Sequence, residues 1–270
     1  MKSNPFKLFS SRKPATASLP SVPVPATMQT SEPSVLTFPE PPSAEMRIRL
    51  ADVGSAGGLQ AKWRPHVAWL EPVLFEPSPQ SAQNLRAKFP EAHVVQAGLS
   101  NAVESRKLYI TKNPFCISVL EPNEVLLAEY PNMQAHFEVQ RSIDIACTRY
   151  DVLHREGKTP QPDLVKIDVQ GFEYEVLQGF GDLLHGCLGI ELEAHFYPLY
   201  NQQKLLPDLI SLLEPFGLVL RKIEYVPHFL GEVVEVNAFF TKRRSQSKFF
   251  DGRQRWIHRV AEQVWQLPSR

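Results

Sequence analysis

LVKIDVQGFEYEVLQG, from Leu164 to Gly179, changes its periodicity halfway along. Leu164 to Val169 is an apolar, β-branched run with Asp168 near its end, the pattern of a buried strand. Gly171 breaks the strand, after which Phe172, Val176, Leu177 and Phe180 recur at helical spacing. The stretch therefore reads as strand, tight turn and helix, with Asp168 and Gln170 delivered to the turn. In an open α/β sheet, ligands bind beyond the carboxyl ends of the strands. The site is expected at this turn, with the remaining motifs converging on it.

Upstream, Met46 to Val53 (MRIRLADV) reads as a strand that runs into Gly54-Ser55-Ala56-Gly57-Gly58 and a helical stretch from Leu59. Glycines let a backbone approach a ligand closely, and a helix N-terminus offers free N–H groups. Arg47 and Arg49 alternate into this strand and are expected at its solvated start. Val73 to Phe75 then leads to Glu76 and a helix from about Gln80 to Phe89. An acid about twenty residues after a glycine turn suits ribose hydroxyls, because a carboxylate accepts two hydrogen bonds from a vicinal diol. Capping of the following helix is the competing role for Glu76. His93 to Ala97 reads as a third strand, Lys107 to Thr111 as an additional one, and Phe137 to Ile145 as an alternating edge strand. Between them, Asn113 to Asn123 suits a loop or lid that approaches an acceptor.

Downstream, Leu188 to Leu192 forms the next strand, closing on Glu191, Glu193 and His195. A helix from Leu205 to Leu213 and strands over Leu218–Tyr225 and Val233–Phe240 follow. The short connection between those two strands requires an antiparallel pair. In the basic tail, Trp256, Ile257, Val260, Val264 and Trp265 recur at helical spacing. This amphipathic helix is expected to pack on the domain or contact a partner or second copy, with an anionic membrane surface as the lesser alternative.

Three domain-level segments result: a disordered tail over residues 1–44, a domain over 45–242, and a basic C-terminal helix over 243–270. Nine of the 24 prolines fall within the first, among Ser, Thr and Ala, so it lacks the apolar surface to offset its ordering entropy. Lys+Arg and Asp+Glu balance at 29 each, which argues against general nucleic-acid binding. Three separated cysteines, Cys116, Cys147 and Cys187, suit reduced thiols in a cytoplasmic protein. No apolar run approaches the ~18 residues of a membrane span, so integral membrane association is not expected.

Four motifs taken in order carry a resemblance: DVGSAGG (Asp52–Gly58), FEPSP (Phe75–Pro79), KIDVQGFEYEVLQG (Lys166–Gly179) and LGIELE (Leu188–Glu193). Together they resemble the FkbM family of S-adenosylmethionine-dependent methyltransferases over about Met46 to Lys242, and NPFCISVLEPN (Asn113–Asn123) adds to the likeness. The resemblance implies a Rossmann-like α/β fold of seven mostly parallel strands, the last antiparallel, with helices on both faces. It implies S-adenosylmethionine as cofactor, with Asp52, Gly54, Ser55 and Gly57 around its methionine part. Glu76 would hold the ribose, Leu99 and Ser100 would flank the adenine, and Asp168 would sit beside the methyl donor and acceptor. O-methylation of a small-molecule or sugar hydroxyl is the implied reaction. The chain departs from the family at Ala56, where Asn is usual, and in its Pro-rich tail.

A hydroxyl acceptor needs a base or a metal as the new bond forms. Asp168 and His195 are the expected catalytic residues, His195 because its intrinsic pKa lies near neutrality. Asp168 with Glu191 offers a weak metal site. Alternate residues share a face, so Glu191 and Glu193 point to the same side. The competing functions are a nicotinamide-dependent oxidoreductase, since a glycine turn plus Glu76 suits NAD too, and a non-catalytic scaffold that keeps the fold.

Overall fold

A computed structural model describes residue 43 and residues 46–268, so the Pro-rich segment lies outside the described residues apart from Ser43. The strands in chain order are β1 (Ile48–Val53), β2 (Leu70–Phe75), β3 (His93–Val95), β4 (Gly98–Leu99) and β5 (Glu104–Thr111). They continue with β6 (Val139–Thr148), β7 (Leu164–Ile167), β8 (Gly189–His195), β9 (Leu218–Tyr225) and β10 (Glu235–Lys242). Seven of them build one sheet in the order β3-β2-β1-β7-β8-β10-β9. The pairs β2–β3, β1–β2, β1–β7 and β7–β8 are parallel, and β10 runs antiparallel to both neighbours. This is the seven-stranded Rossmann-like sheet expected from the resemblance. The chain order turns back between β1 and β7, which makes the crevice at their carboxyl ends a topological switch point.

Sequence alternation assigns the two faces. Val53, Val165, Ile167, Ile190 and Leu192 point to one side, where Phe172, Val176, Leu177 and Phe180 bury the helix Glu173–Phe180 against them. Ile48, Leu50, Leu164, Leu188 and Phe239 point to the other. That side is covered by the helix Gly252–Val264 with Trp256, Ile257, Val260 and Val264, and by Trp265 just after it. The apolar stripe of the C-terminal helix is thus packed on the sheet. Asp251 caps that helix by accepting from the Gln254 N–H, and Arg253 donates twice to Asp163 just before β7. Arg49 also reaches Asp163, at 2.8 Å, so the arginine expected at a solvated strand start is a half-buried ion-pair partner. Among the described residues no helix is long and apolar enough to cross a membrane.

Two expectations change. The third strand ends at Val95, and Gly98–Leu99 turns away to pair with Cys147 and Thr148 in a second sheet of order β4-β6-β5. The stretch expected as an edge strand is therefore the centre of that small sheet, because β5 takes one side of β6 and β4 the other. Its polar alternation reflects one solvated face.

Candidate active site

Register places a row of charge across the strand ends. Asp52 on β1 lies opposite Lys166 on β7, and Lys166 opposite Glu191 on β8. All three are buried, on the face that also carries the C-terminal helix. The Lys166 ammonium stands 3.4 Å from Asp52, 3.5 Å from Asp168 and 3.3 Å from the Gly54 carbonyl oxygen. Surrounding carboxylates raise its pKa against the opposing effect of burial. Asp52 is itself pushed upward by burial, an effect the lysine offsets only in part. Glu191 takes Lys62 as its partner at 2.6 Å. Asp168 and Glu191, weighed together as metal ligands, are thus each matched to a different lysine.

The glycine turn is fixed by its neighbours. The N–H groups of Gly54 and Ser55 both donate to the Phe75 carbonyl, which folds the turn over the end of β2 beside Glu76. The Ser55 hydroxyl donates to the Asp52 carbonyl at 2.6 Å. Gly54 has φ +81°, and a Cβ there would stand 1.8 Å from the Asp168 carbonyl oxygen. Only glycine permits that approach between the β1 turn and the end of β7. At Gly57 an added Cβ would meet nothing within 4 Å, so the turn opens onto free space.

Glu76 is buried, and burial raises its pKa. It accepts from the Ser78 N–H at 2.8 Å, while Ser78 itself caps the helix Pro79–Lys88. The capping role considered for Glu76 thus belongs to Ser78. Leu99 and Ser100 are both buried, and the Ser100 hydroxyl is spent on Glu104 at 2.6 Å.

Asp168 is the accessible carboxylate of the group, with 38% of its side chain exposed. Gln170, at φ +57°, donates one amide N–H to Asp168 at 3.1 Å and another to Glu193. Its side-chain oxygen accepts from the Tyr200 hydroxyl at 2.9 Å, and its backbone oxygen accepts from Ser118 at 2.7 Å. Ser118 belongs to the segment expected as a lid, and that segment is stitched onto the motif. Glu173 accepts from the N–H groups of Val169 and Gly171 and so holds the turn closed; burial pushes its pKa up to about 8.

His195 departs most from expectation. It lies 1% exposed at the end of β8, and burial lowers its pKa to about 4. Glu193 and Glu235 flank its Nε2 at 4.0 and 3.9 Å. Burial raises both carboxyls, Glu235 to about 7, and the nearby charge of Asp168 adds to the rise in each.

Lys166, Lys62, Gln170 and Glu235 are the site residues to which the sequence reading gave no role. The signal for the first was present: Lys166 and Asp168 alternate on one face of an otherwise apolar strand, and a buried charge there demands a partner. Lys62 and Glu235 come from segments whose proximity only the sheet order reveals.

A seven-stranded sheet whose last strand in the chain is antiparallel, with an open glycine turn after β1 and an acid after β2, is the Rossmann-like architecture of class I methyltransferases. The family model described as the methyltransferase FkbM domain matches residues 54–221, well over half of the chain. The protein belongs to that family, and membership makes S-adenosylmethionine its cofactor. The residues present fit it: the cradle is open over Gly57, and Asp52 keeps a buried Oδ1 without a hydrogen bond beyond its ion contact with Lys166. Among solved structures, the chain is similar to a TehB-like S-adenosylmethionine-dependent methyltransferase from Corynebacterium glutamicum, at 14% identity, 74% of this chain, 83% of that chain and TM-score 0.38. It is also similar to magnesium protoporphyrin IX methyltransferase from Synechocystis, at 10% identity, 73% and 71% coverage and TM-score 0.39. Among curated proteins none matches the chain.

Proposed function

We propose that this methyltransferase acts on a hydroxyl group of a small molecule or sugar, with Asp168 as the residue that receives the acceptor. The observation that carries this reading is the setting of Asp168. It is a partly exposed carboxylate at the switch point, touching the cofactor turn through Gly54 and tied through Gln170 to the acidic end of β8. When bound, the cofactor supplies an electrophilic methyl group on a sulfonium. Asp168 then accepts a hydrogen bond from the acceptor hydroxyl and takes its proton as the carbon–oxygen bond forms. Lys166 on one carboxylate oxygen and Gln170 on the other hold it in one orientation. Alignment supplies much of the rate in such a displacement. Phe196 and Tyr197, directly after His195, are each more than a third exposed and suit stacking against a sugar ring.

The test uses the full chain, a labelled methyl donor and a panel of hydroxylated metabolites and sugars. Label should enter an oxygen-bound methyl, and Asp168→Asn should lower kcat by ~100-fold or more while S-adenosylhomocysteine still binds. Transfer to nitrogen or carbon alone, or near-normal turnover of the variant, would remove the reading. Binding of NAD rather than S-adenosylhomocysteine would revive the oxidoreductase alternative.

A further inference from the structure

The antiparallel pairing of β8 and β10 sets His195 directly opposite Glu235, with Glu193 two residues back on the same face. One ligand atom from each of the three lies within 4.8 Å of the others. Neither ring nitrogen of His195 has a hydrogen-bond partner, although its side chain is fully buried. Buried polar atoms are ordinarily satisfied, and an imidazole orphaned at both nitrogens calls for a specific explanation. Four other buried acids each face a partner. Asp52 faces Lys166, Glu191 faces Lys62, Asp163 faces Arg49 and Arg253, and Glu173 takes two backbone N–H groups. Among the described residues, no lysine or arginine stands within ion-pair distance of Glu193 or Glu235. Two carboxylates and a neutral imidazole, converging and short of positive charge, match a divalent cation.

We propose that Glu193, His195 and Glu235 form a binding site for a divalent transition-metal ion of the Mn²⁺ or Zn²⁺ class. One imidazole nitrogen with carboxylate oxygens suits those ions, whereas Mg²⁺ and Ca²⁺ favour all-oxygen sites. The support around the ligands fits as well. Gln170 donates to Glu193 and to Asp168, so one amide orients a ligand carboxylate and the acceptor-facing carboxylate together. Three protein ligands leave coordination positions open for water or an acceptor oxygen. The cation site stands independently of the hydroxyl reading above; its use in lowering the pKa of an acceptor hydroxyl rests on that reading.

The test is titration of the chelator-stripped full chain with Mn²⁺ and Zn²⁺, followed by calorimetry and, for Mn²⁺, by the spin-resonance signal with its histidine nitrogen coupling. One ion per chain is expected, with more than ~10-fold weaker binding in Glu235→Gln and loss of the nitrogen coupling in His195→Gln. S-adenosylhomocysteine binding, measured on the same samples, reports that each variant is folded. Absence of stoichiometric binding by the wild-type chain would overturn the proposal. So would unchanged affinity in a folded Glu235→Gln. Metal binding without any methyl transfer to oxygen would leave this site standing and count against the hydroxyl reading alone.

Discussion

Gln170 occupies a left-handed backbone conformation that costs a non-glycine residue roughly 1 kcal/mol. Its side chain accounts for its presence, since one amide spans Asp168, Glu193 and Tyr200. Replacing it with Gly relieves the backbone and removes the bridge. Gln170→Gly should therefore melt within a few degrees of wild type while kcat falls by ~10-fold or more; unchanged turnover would show that the bridge is only structural. Glu173 allows a second prediction at this scale. Its pKa is about 8 in the folded chain against an ordinary 4.5. Between those values the folded protein holds a proton that the unfolded chain has released. The contribution is full below pH 4.5 and is lost as pH rises through 8, by at most ~1.4 kcal/mol per unit. Glu173→Gln keeps an oxygen for the Val169 and Gly171 N–H groups but cannot ionise. Melting curves from pH 5 to 9 should show wild-type stability declining relative to the variant, and parallel curves would refute the assignment.

Among the elements, the C-terminal helix and the residues just after it contribute most to the second face of the sheet. Trp265 is 2% exposed and packs edge-on against Trp63 with centroids 6.3 Å apart. It also presses on Gly189, where an added Cβ would lie 2.6 Å from the indole. Trp265→Ala should cost ~3–5 kcal/mol, lowering the melting temperature by roughly 10 °C or more. A loss under ~1 kcal/mol would mean that this face tolerates a large void. Much at this scale was legible in advance. The KIDVQGFE stretch gave a strand, turn and helix because its period changes from 2 to 3.6 at Gly171. The helix stripe from Trp256 to Trp265 was visible for the same reason, and the choice among its surroundings was settled by Ile48, Leu50 and Phe239, which share no sequence neighbourhood with it. The place of β6 was not legible, because a half-solvated central strand of a small sheet alternates just as an edge strand does.

At the scale of the whole molecule, the residues proposed for the cofactor, Gly54 to Gly58, Glu76 and Asp168, could be named from the sequence because each sits on a local motif. The β8 end could not, because its chemistry depends on partners distant in sequence. His195 looked like a strand-end base with an ordinary pKa; burial beside Glu193 and Glu235 makes it a neutral ring. Single-strand patterns reveal which residues are charged, whereas sheet order determines what they face.

The hydrogen bond from Arg253 to the Arg47 carbonyl joins residues 206 positions apart, beside the twin contacts to Asp163. During synthesis, Ile48, Leu50 and Trp63 thus leave the ribosome long before the residues that cover them. At about 5–20 residues per second, that gap lasts roughly 10–40 s. For that interval the apolar side chains of this face, Ile48, Leu50 and Trp63 among them, exist without the helix that covers them in the folded chain.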